Sequence, residues 1–190
     1  MSTAAVSPSR ARRSPWAVTS RTIVFGAIGA ALYGALGVFS FILPGTGNVA
    51  IRPAIALIPF VGVRFGPVAG FFTGAVGNAI VDQIQGAGFL TYWNWSIANG
   101  LTGLVAGLLA HYFAEPKKTG PQLARVAIIS VVAVIVGMLF TITDIFLGNT
   151  FSFWLFAEYF PALLTTALAS VILAPALDQA WKPLQNLSGR

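Results

Sequence analysis

Residues 123–147 read LARVAIISVVAVIVGMLFTITDIFL, and no charged side chain lies between Arg125 and Asp144. A helix needs about 20 mostly apolar residues to cross a bilayer, and this run supplies them. The chain on either side repeats the pattern. Residues 22–51, 65–81 and 83–114 contain no Lys, Arg, Asp or Glu, and 126–177 contain only Asp144 and Glu158. The chain as a whole has 190 residues, 56% hydrophobic and 8% charged, with a mean hydropathy of +0.80. A soluble domain is about 25% charged, because its surface has to be covered by polar groups. This chain has too few of them. A soluble globular enzyme is excluded, and so is a disordered chain.

Turn-forming residues divide the apolar runs: Pro44-Gly45-Thr46-Gly47-Asn48, Gly66-Pro67, Gly86-Ala87-Gly88, Glu115 to Pro121, and Gly148-Asn149. The pattern predicts an all-α, polytopic membrane protein of six transmembrane helices, over about 22–43, 50–64, 66–85, 93–113, 123–147 and 153–177. The second is short and carries Pro53 and Pro59, so a kinked or partly re-entrant segment is expected. The organisation is then a basic tail over 1–21, a membrane domain over 22–178 and a second tail over 179–190. The first apolar run is long enough to span and is followed by further spans, so it reads as a retained helix rather than a cleaved signal.

Six spans put both termini on one side. That side collects Arg10, Arg12, Arg13, Arg21, Arg64, Lys117, Lys118, Arg125, Lys182 and Arg190, leaving only Arg52 elsewhere. The positive-inside rule makes it the cytoplasmic side. The net charge of +6 is thereby read as a topology signal and not as a nucleic-acid surface. Asp82, Asp144 and Glu158 fall towards the outer half with Arg52. They are expected to form a polar pocket open to the outside, because ionisable groups facing lipid are costly.

No cysteine is present and His111 is the single histidine, so no thiolate chemistry, multi-histidine metal site or cofactor is expected. No G-x-x-x-x-G-K-[ST] loop, HExxH or Ser-His-Asp arrangement occurs. The chain is therefore not expected to be an enzyme. Any uphill transport must draw energy from a partner or an ion gradient.

Several helical stripes remain. In the first span, Ala27, Ala31 and Ala35 recur at four-residue steps, with Gly26, Ala30 and Gly34 beside them. Small residues at this spacing allow close helix contact, within the chain or with a partner. The third span steps through Gly70, Gly74, Asn78 and Asp82, a narrow face that turns polar. The fourth opens Thr91-Tyr92-Trp93-Asn94-Trp95 and carries Trp95, Asn99 and Thr102 along one face. Thr141 and Asp144 share a face of the fifth. Trp154, Glu158 and Thr165 occur at roughly helical spacing in the sixth. Aromatic faces beside a few polar groups suit a flat heteroaromatic ligand.

Four segments in order carry a resemblance: Ala30-Ala31-Leu32-Tyr33-Gly34-Ala35-Leu36-Gly37, Ile51-Arg52-Pro53-Ala54-Ile55-Ala56-Leu57, Arg64-Phe65-Gly66-Pro67-Val68-Ala69-Gly70-Phe71 and Trp93-Asn94-Trp95-Ser96. Together they resemble the substrate-binding S components of energy-coupling factor (ECF) vitamin transporters, nearest the riboflavin-type or uncharacterised branch. The likeness covers about residues 22–110. It implies a six-helix protein of the prokaryotic cell membrane that binds a micronutrient near the outer face. Its partners would be a transmembrane coupling subunit and two ATPase subunits. The resemblance also implies docking through an A-x-x-x-A motif in the first helix, which Ala27, Ala31 and Ala35 match. One departure is Asn78, where a histidine is expected. It leaves the ligand open among riboflavin, cobalamin, thiamine precursors, other vitamins and nucleoside-like compounds. Trp93, Trp95 and Trp154 would stack on the ligand. Asn94, Asn99, Asp144 and Glu158 would bond its edge, with Asn78 and Asp82 nearby. Arg52 would close the site or pair with Asp82. The alternative is a self-contained secondary transporter or channel driven by an ion gradient.

Overall fold

The structure is a computed structural model and describes residues 14–187. Arg10, Arg12, Arg13 and Arg190, used in the charge argument, lie outside the described residues. Helix α1 (Ser20–Leu36) leads into an antiparallel ribbon of β1 (Phe41–Ile42) and β2 (Ala50–Ile51), with Phe41 opposite Ile51. A 3-10 turn (Pro53–Ala56) opens α2 (Leu57–Phe65), followed by α3 (Pro67–Ile84) and α4 (Trp93–Tyr112). Helix α5 (Thr119–Met138) continues as a 3-10 segment (Leu139–Leu147). The short α6 (Phe151–Phe153) and a π-turn (Trp154–Tyr159) lead into α7 (Phe160–Leu187).

These are six helical segments in the expected order. Two of them, Thr119–Leu147 and Phe151–Leu184, are long and apolar enough to cross a bilayer, and Ser20–Leu36 and Pro53–Phe65 are shorter apolar helices. Three boundaries differ from expectation. Helix α1 stops at Leu36 instead of continuing to 43. The β-favouring run Val38 to Leu43 turns back through Pro44 and the left-handed Gly45 and Asn48, and a residue before proline is driven out of the helical region. Pro59 does not break α2. It sits in the first turn, where its missing N–H has no helical partner to lose. Helix α7 runs past 178 to Leu187 rather than giving way to a tail.

Local sequence explains the remaining joints. Thr19 caps α1 in a capping box with Thr22. Gly66, at φ 99, lets α2 end and α3 begin at once on Pro67. Helix α2 sits centrally, with Ile58, Pro59, Phe60, Val61 and Gly62 buried among α1, α3, α4 and α7. Around it α1 packs on α3, α3 on α4, α4 on α5 and α5 on α7. The outward faces carry Ile28, Leu32, Phe72, Ile128, Phe156, Leu164 and Ile172, while Asn94, Asn99, Thr102, Ser130, Thr166 and Ser170 are buried. Such an inside-out distribution needs apolar surroundings.

The α2–α3–α4 contact is a glycine seam. A Cβ at Gly103 would run into the Gly70 carbonyl, and one at Gly70 into that of Gly103. Gly62 and Gly107 meet backbone in the same way, whereas Gly120 faces open space. Gly103→Ala therefore has to push two backbones apart and is expected to cost about 2–3 kcal/mol. Gly120→Ala should be near neutral. Thermal unfolding of both variants in detergent checks this; equal midpoints would contradict the seam.

Candidate functional site

The bundle has two polar ends. At the ribbon end, Asn78 on α3 is a hub. Its Oδ1 accepts from Arg52 Nη1 (3.0 Å), Asn99 Nδ2 (3.1 Å) and the Tyr33 hydroxyl (3.4 Å). Its Nδ2 donates to Asp82 Oδ2 (2.9 Å) and Ser96 Oγ (3.2 Å). Arg52 Nη2 lies 3.8 Å from Asp82 Oδ1 and donates to Gln85 Oε1 at 3.2 Å. The glycine seam makes this possible, because Gly74 brings α3 against the Asn99 backbone just below the hub.

A second group is assembled on the other side of α4. Asp144 Oδ1 accepts from Asn94 Nδ2 at 2.7 Å, and its Oδ2 accepts from Trp95 Nε1 at 2.8 Å. The 3-10 winding matters here. Side chains three apart eclipse in a 3-10 helix, so Met138, Thr141 and Asp144 all face inward. Trp154, 3% exposed, donates from Nε1 to Thr141 Oγ1 at 3.0 Å and leans on Tyr159 with ring centroids 5.2 Å apart. Glu158 stands beside Asp144 and accepts from Asn149 Nδ2 at 2.9 Å. The π-turn shifts the register of α7, so Thr166 is buried while Thr165, read at helical spacing with Trp154 and Glu158, is half-buried and bonds to Pro161 O. The ribbon loop covers this group. Gly47 N–H donates to Ala157 O at 2.8 Å, and a Cβ at Gly47 would meet Glu158 and Phe153.

Nine of the ten residues expected to bind substrate thus lie in two adjoining networks flanking the ribbon-end half of α4. Trp93 does not join them: it is 41% exposed and packs edge-on against Phe140. Arg52 takes the pairing role with Asp82. Among the described residues the buried Arg52 Nε, Asn94 Oδ1 and Asn99 Oδ1 have no partner.

The chain matches the family described as "ECF-type riboflavin transporter, S component" over residues 17–182. It belongs to that family. A UPF0397 protein of Streptococcus gordonii is 42% identical over 94 residues, covering 50% of this chain and 49% of that protein. The chain thus spans about half the length of that relative. No solved structure matches it. Membership of the S-component family places the chain in a membrane.

In this S-component family member the two small-residue stripes of α1 part company. Gly26, Ala30 and Gly34 are buried, with Gly26 against Ala69 and Gly34 against Ile80 of α3. Ala27, Ala31 and Ala35 lie on the exposed face among Ile23, Ile28 and Leu32.

Sequence reasoning missed several partners. Tyr33 and Ser96 complete the Asn78 hub, and Asn149 holds Glu158. Tyr33 and Ser96 stand inside the segments that carry the family resemblance and Asn149 inside a turn signal, but none has a charge or spacing that singles it out. The opposite, tail end was missed altogether. There Arg64 Nε donates to Asp178 Oδ1, and Arg64 Nη1 pairs with Glu115 at 3.0 Å. Gln122 Nε2 donates to Asp178 Oδ2 at 3.0 Å. Phe25, Phe60, Phe65 and Trp181 pack beside it, with Arg21 over the Phe25 and Phe65 rings. The described chain therefore enters and leaves the bundle at one end. A cavity of about 280 Å³ lies there, lined by Thr19, Arg21, Arg64, Pro67 and His111 among others.

Proposed function

We propose that this chain is the substrate-binding subunit of an ECF-type importer. It captures a flat micronutrient, a vitamin or a related compound, at the ribbon end and releases it inward when docked on an ATP-driven module. One observation carries the reading: buried Asn94 and Asn99 keep unpaired amide oxygens beside Trp95 among the described residues. An unpaired buried polar atom is expensive, and a ligand would relieve it. The family description names riboflavin, a compound of the same flat class.

All six helical segments then cross the prokaryotic cell membrane. Both chain ends lie on the cytoplasmic side with Arg21, Arg64, Arg125 and Lys182, and the ribbon end faces outward. The ribbon loop, tied to Ala157 through Gly47, opens to admit the ligand. Ala27, Ala31 and Ala35 meet the transmembrane coupling subunit, which two ATPase subunits drive.

Ligand capture is tested on the isolated protein. Purified in mild detergent, it should retain a small molecule identifiable by mass spectrometry and rebind it without ATP. Trp95→Ala removes the half-buried ring and its bond to Asp144. Binding should weaken at least about tenfold, which corresponds to about 1.4 kcal/mol. An unchanged dissociation constant would remove Trp95 from the site, and a protein that never binds an organic compound would end the reading.

A further inference from the structure

The unpaired atoms of the ribbon-end site have a sign. Asn94 donates through Nδ2 to the Asp144 carboxylate and to Thr143 Oγ1. A carboxylate only accepts, so this orientation is forced and Oδ1 is left as a bare acceptor. Asn99 donates through Nδ2 to the Trp95 carbonyl and to Asn78 Oδ1. A carbonyl also only accepts, so Asn99 Oδ1 is fixed in the same way. Glu158 Oε1 accepts from Asn149, and its carboxyl lies within hydrogen-bonding reach of the Asp144 carboxyl. Asn94, Asn99 and Glu158 are 0%, 3% and 6% exposed. Two orphan amide acceptors therefore stand beside the Asp144–Glu158 carboxyl pair, against one orphan donor, Arg52 Nε.

Charge points the same way. Arg52 is turned to Asp82, Asn78 and Gln85 on α3. Asp144 and Glu158 are neighbours, both buried, and neither forms an ion pair among the described residues. Buried carboxyl groups without a cation are costly. A bare metal ion fits poorly, since no group of three His, Cys, Asp or Glu gathers among the described residues. Trp95, half-buried and bonded to Asp144, instead carries an aromatic ring of the kind that attracts organic cations.

We infer that the site is built for a flat organic cation whose N–H donors face Asp144, Glu158 and the amide oxygens of Asn94 and Asn99. A neutral, acceptor-rich ring such as a flavin complements it less well. The inference rests on the micronutrient-capture reading and narrows it to a charge class.

The test uses the full chain, immobilised in mild detergent. It is exposed to a bacterial metabolite extract containing equal added amounts of thiamine and pyridoxamine (cations), riboflavin and nicotinamide (neutral), and folate and pantothenate (anions). Retained compounds are read by mass spectrometry. Cationic compounds should be enriched at least tenfold over an unrelated membrane protein, and Glu158→Gln and Asp144→Asn should each lower that enrichment at least tenfold. Should either variant fail to fold, the charge class retained by the unaltered chain still decides. Retention of neutral or anionic compounds alone overturns the cation assignment and leaves micronutrient capture standing. Retention of nothing overturns both. Stabilisation by sodium or calcium over potassium chloride at equal ionic strength, with no organic compound retained, also overturns both by showing an inorganic site.

Discussion

Ala31→Trp is expected to reduce ligand uptake by cells more than about a hundredfold while leaving ligand binding by the purified protein unchanged. Ala31 lies on the exposed face of α1, between Ala27 and Ala35. The opposite face holds Ala30 and Tyr33, 2% and 0% exposed, and Tyr33 bonds to the Asn78 hub. An indole at Ala31 projects away from that contact, so the binding network keeps its geometry. A partner helix approaching a small-residue stripe does so closely, because no side chain holds it off. A tryptophan there separates the two backbones and removes the contact along the stripe. Ala30→Trp should instead fail to fold, since Ala30 packs inward. Uptake measured in cells beside titration of the purified protein separates the outcomes. Undiminished uptake by Ala31→Trp would refute docking through this stripe.

The second large effect is expected at the other end. Arg64→Met removes the cation bonded to Asp178, which is 0% exposed and would keep a single side-chain hydrogen bond among the described residues, from Gln122. Breaking a buried pair by deleting one partner costs about 3–5 kcal/mol, because the remaining group is buried and uncompensated. The loss should be larger than for Glu115→Gln, since Glu115 is an exposed partner and exposed pairs contribute about 0–1 kcal/mol. Arg64→Met with Asp178→Leu removes both charges and should recover most of the stability. Thermal midpoints in detergent for the three variants test the ordering. A double variant no more stable than Arg64→Met would show that the site needs its charges for something other than mutual compensation.

Much of the architecture is legible in the sequence. Uncharged runs and Gly/Pro breaks locate six helical segments, and the charge pattern places Asp82, Asp144, Glu158 and Arg52 at one end, where they are found. Winding is less legible. Nothing in Leu139–Leu147 distinguishes a 3-10 segment from an α-helix by composition, and the π-turn at Trp154–Tyr159 has no residue signature. Both arise where the chain trades regular hydrogen bonds for tertiary contacts. Trp93 reads alongside Trp95 in the sequence, yet a step of two residues turns a helix by about 200°, and only Trp95 faces Asp144.

Sequence alone settled how many rods there are and which ends are polar, because hydrophobicity and charge act residue by residue along the chain. Which polar groups meet was decided by packing. Asn78 reaches Asn99 and Ser96 because the Gly70–Gly103 contact sets the height of α3 against α4. Arg64 finds Asp178 because α2 is enclosed beside α7. The stripes Gly26–Ala30–Gly34 and Ala27–Ala31–Ala35 differ by a single residue in sequence. The wall of α3 against α1 turned one inward and left the other outside.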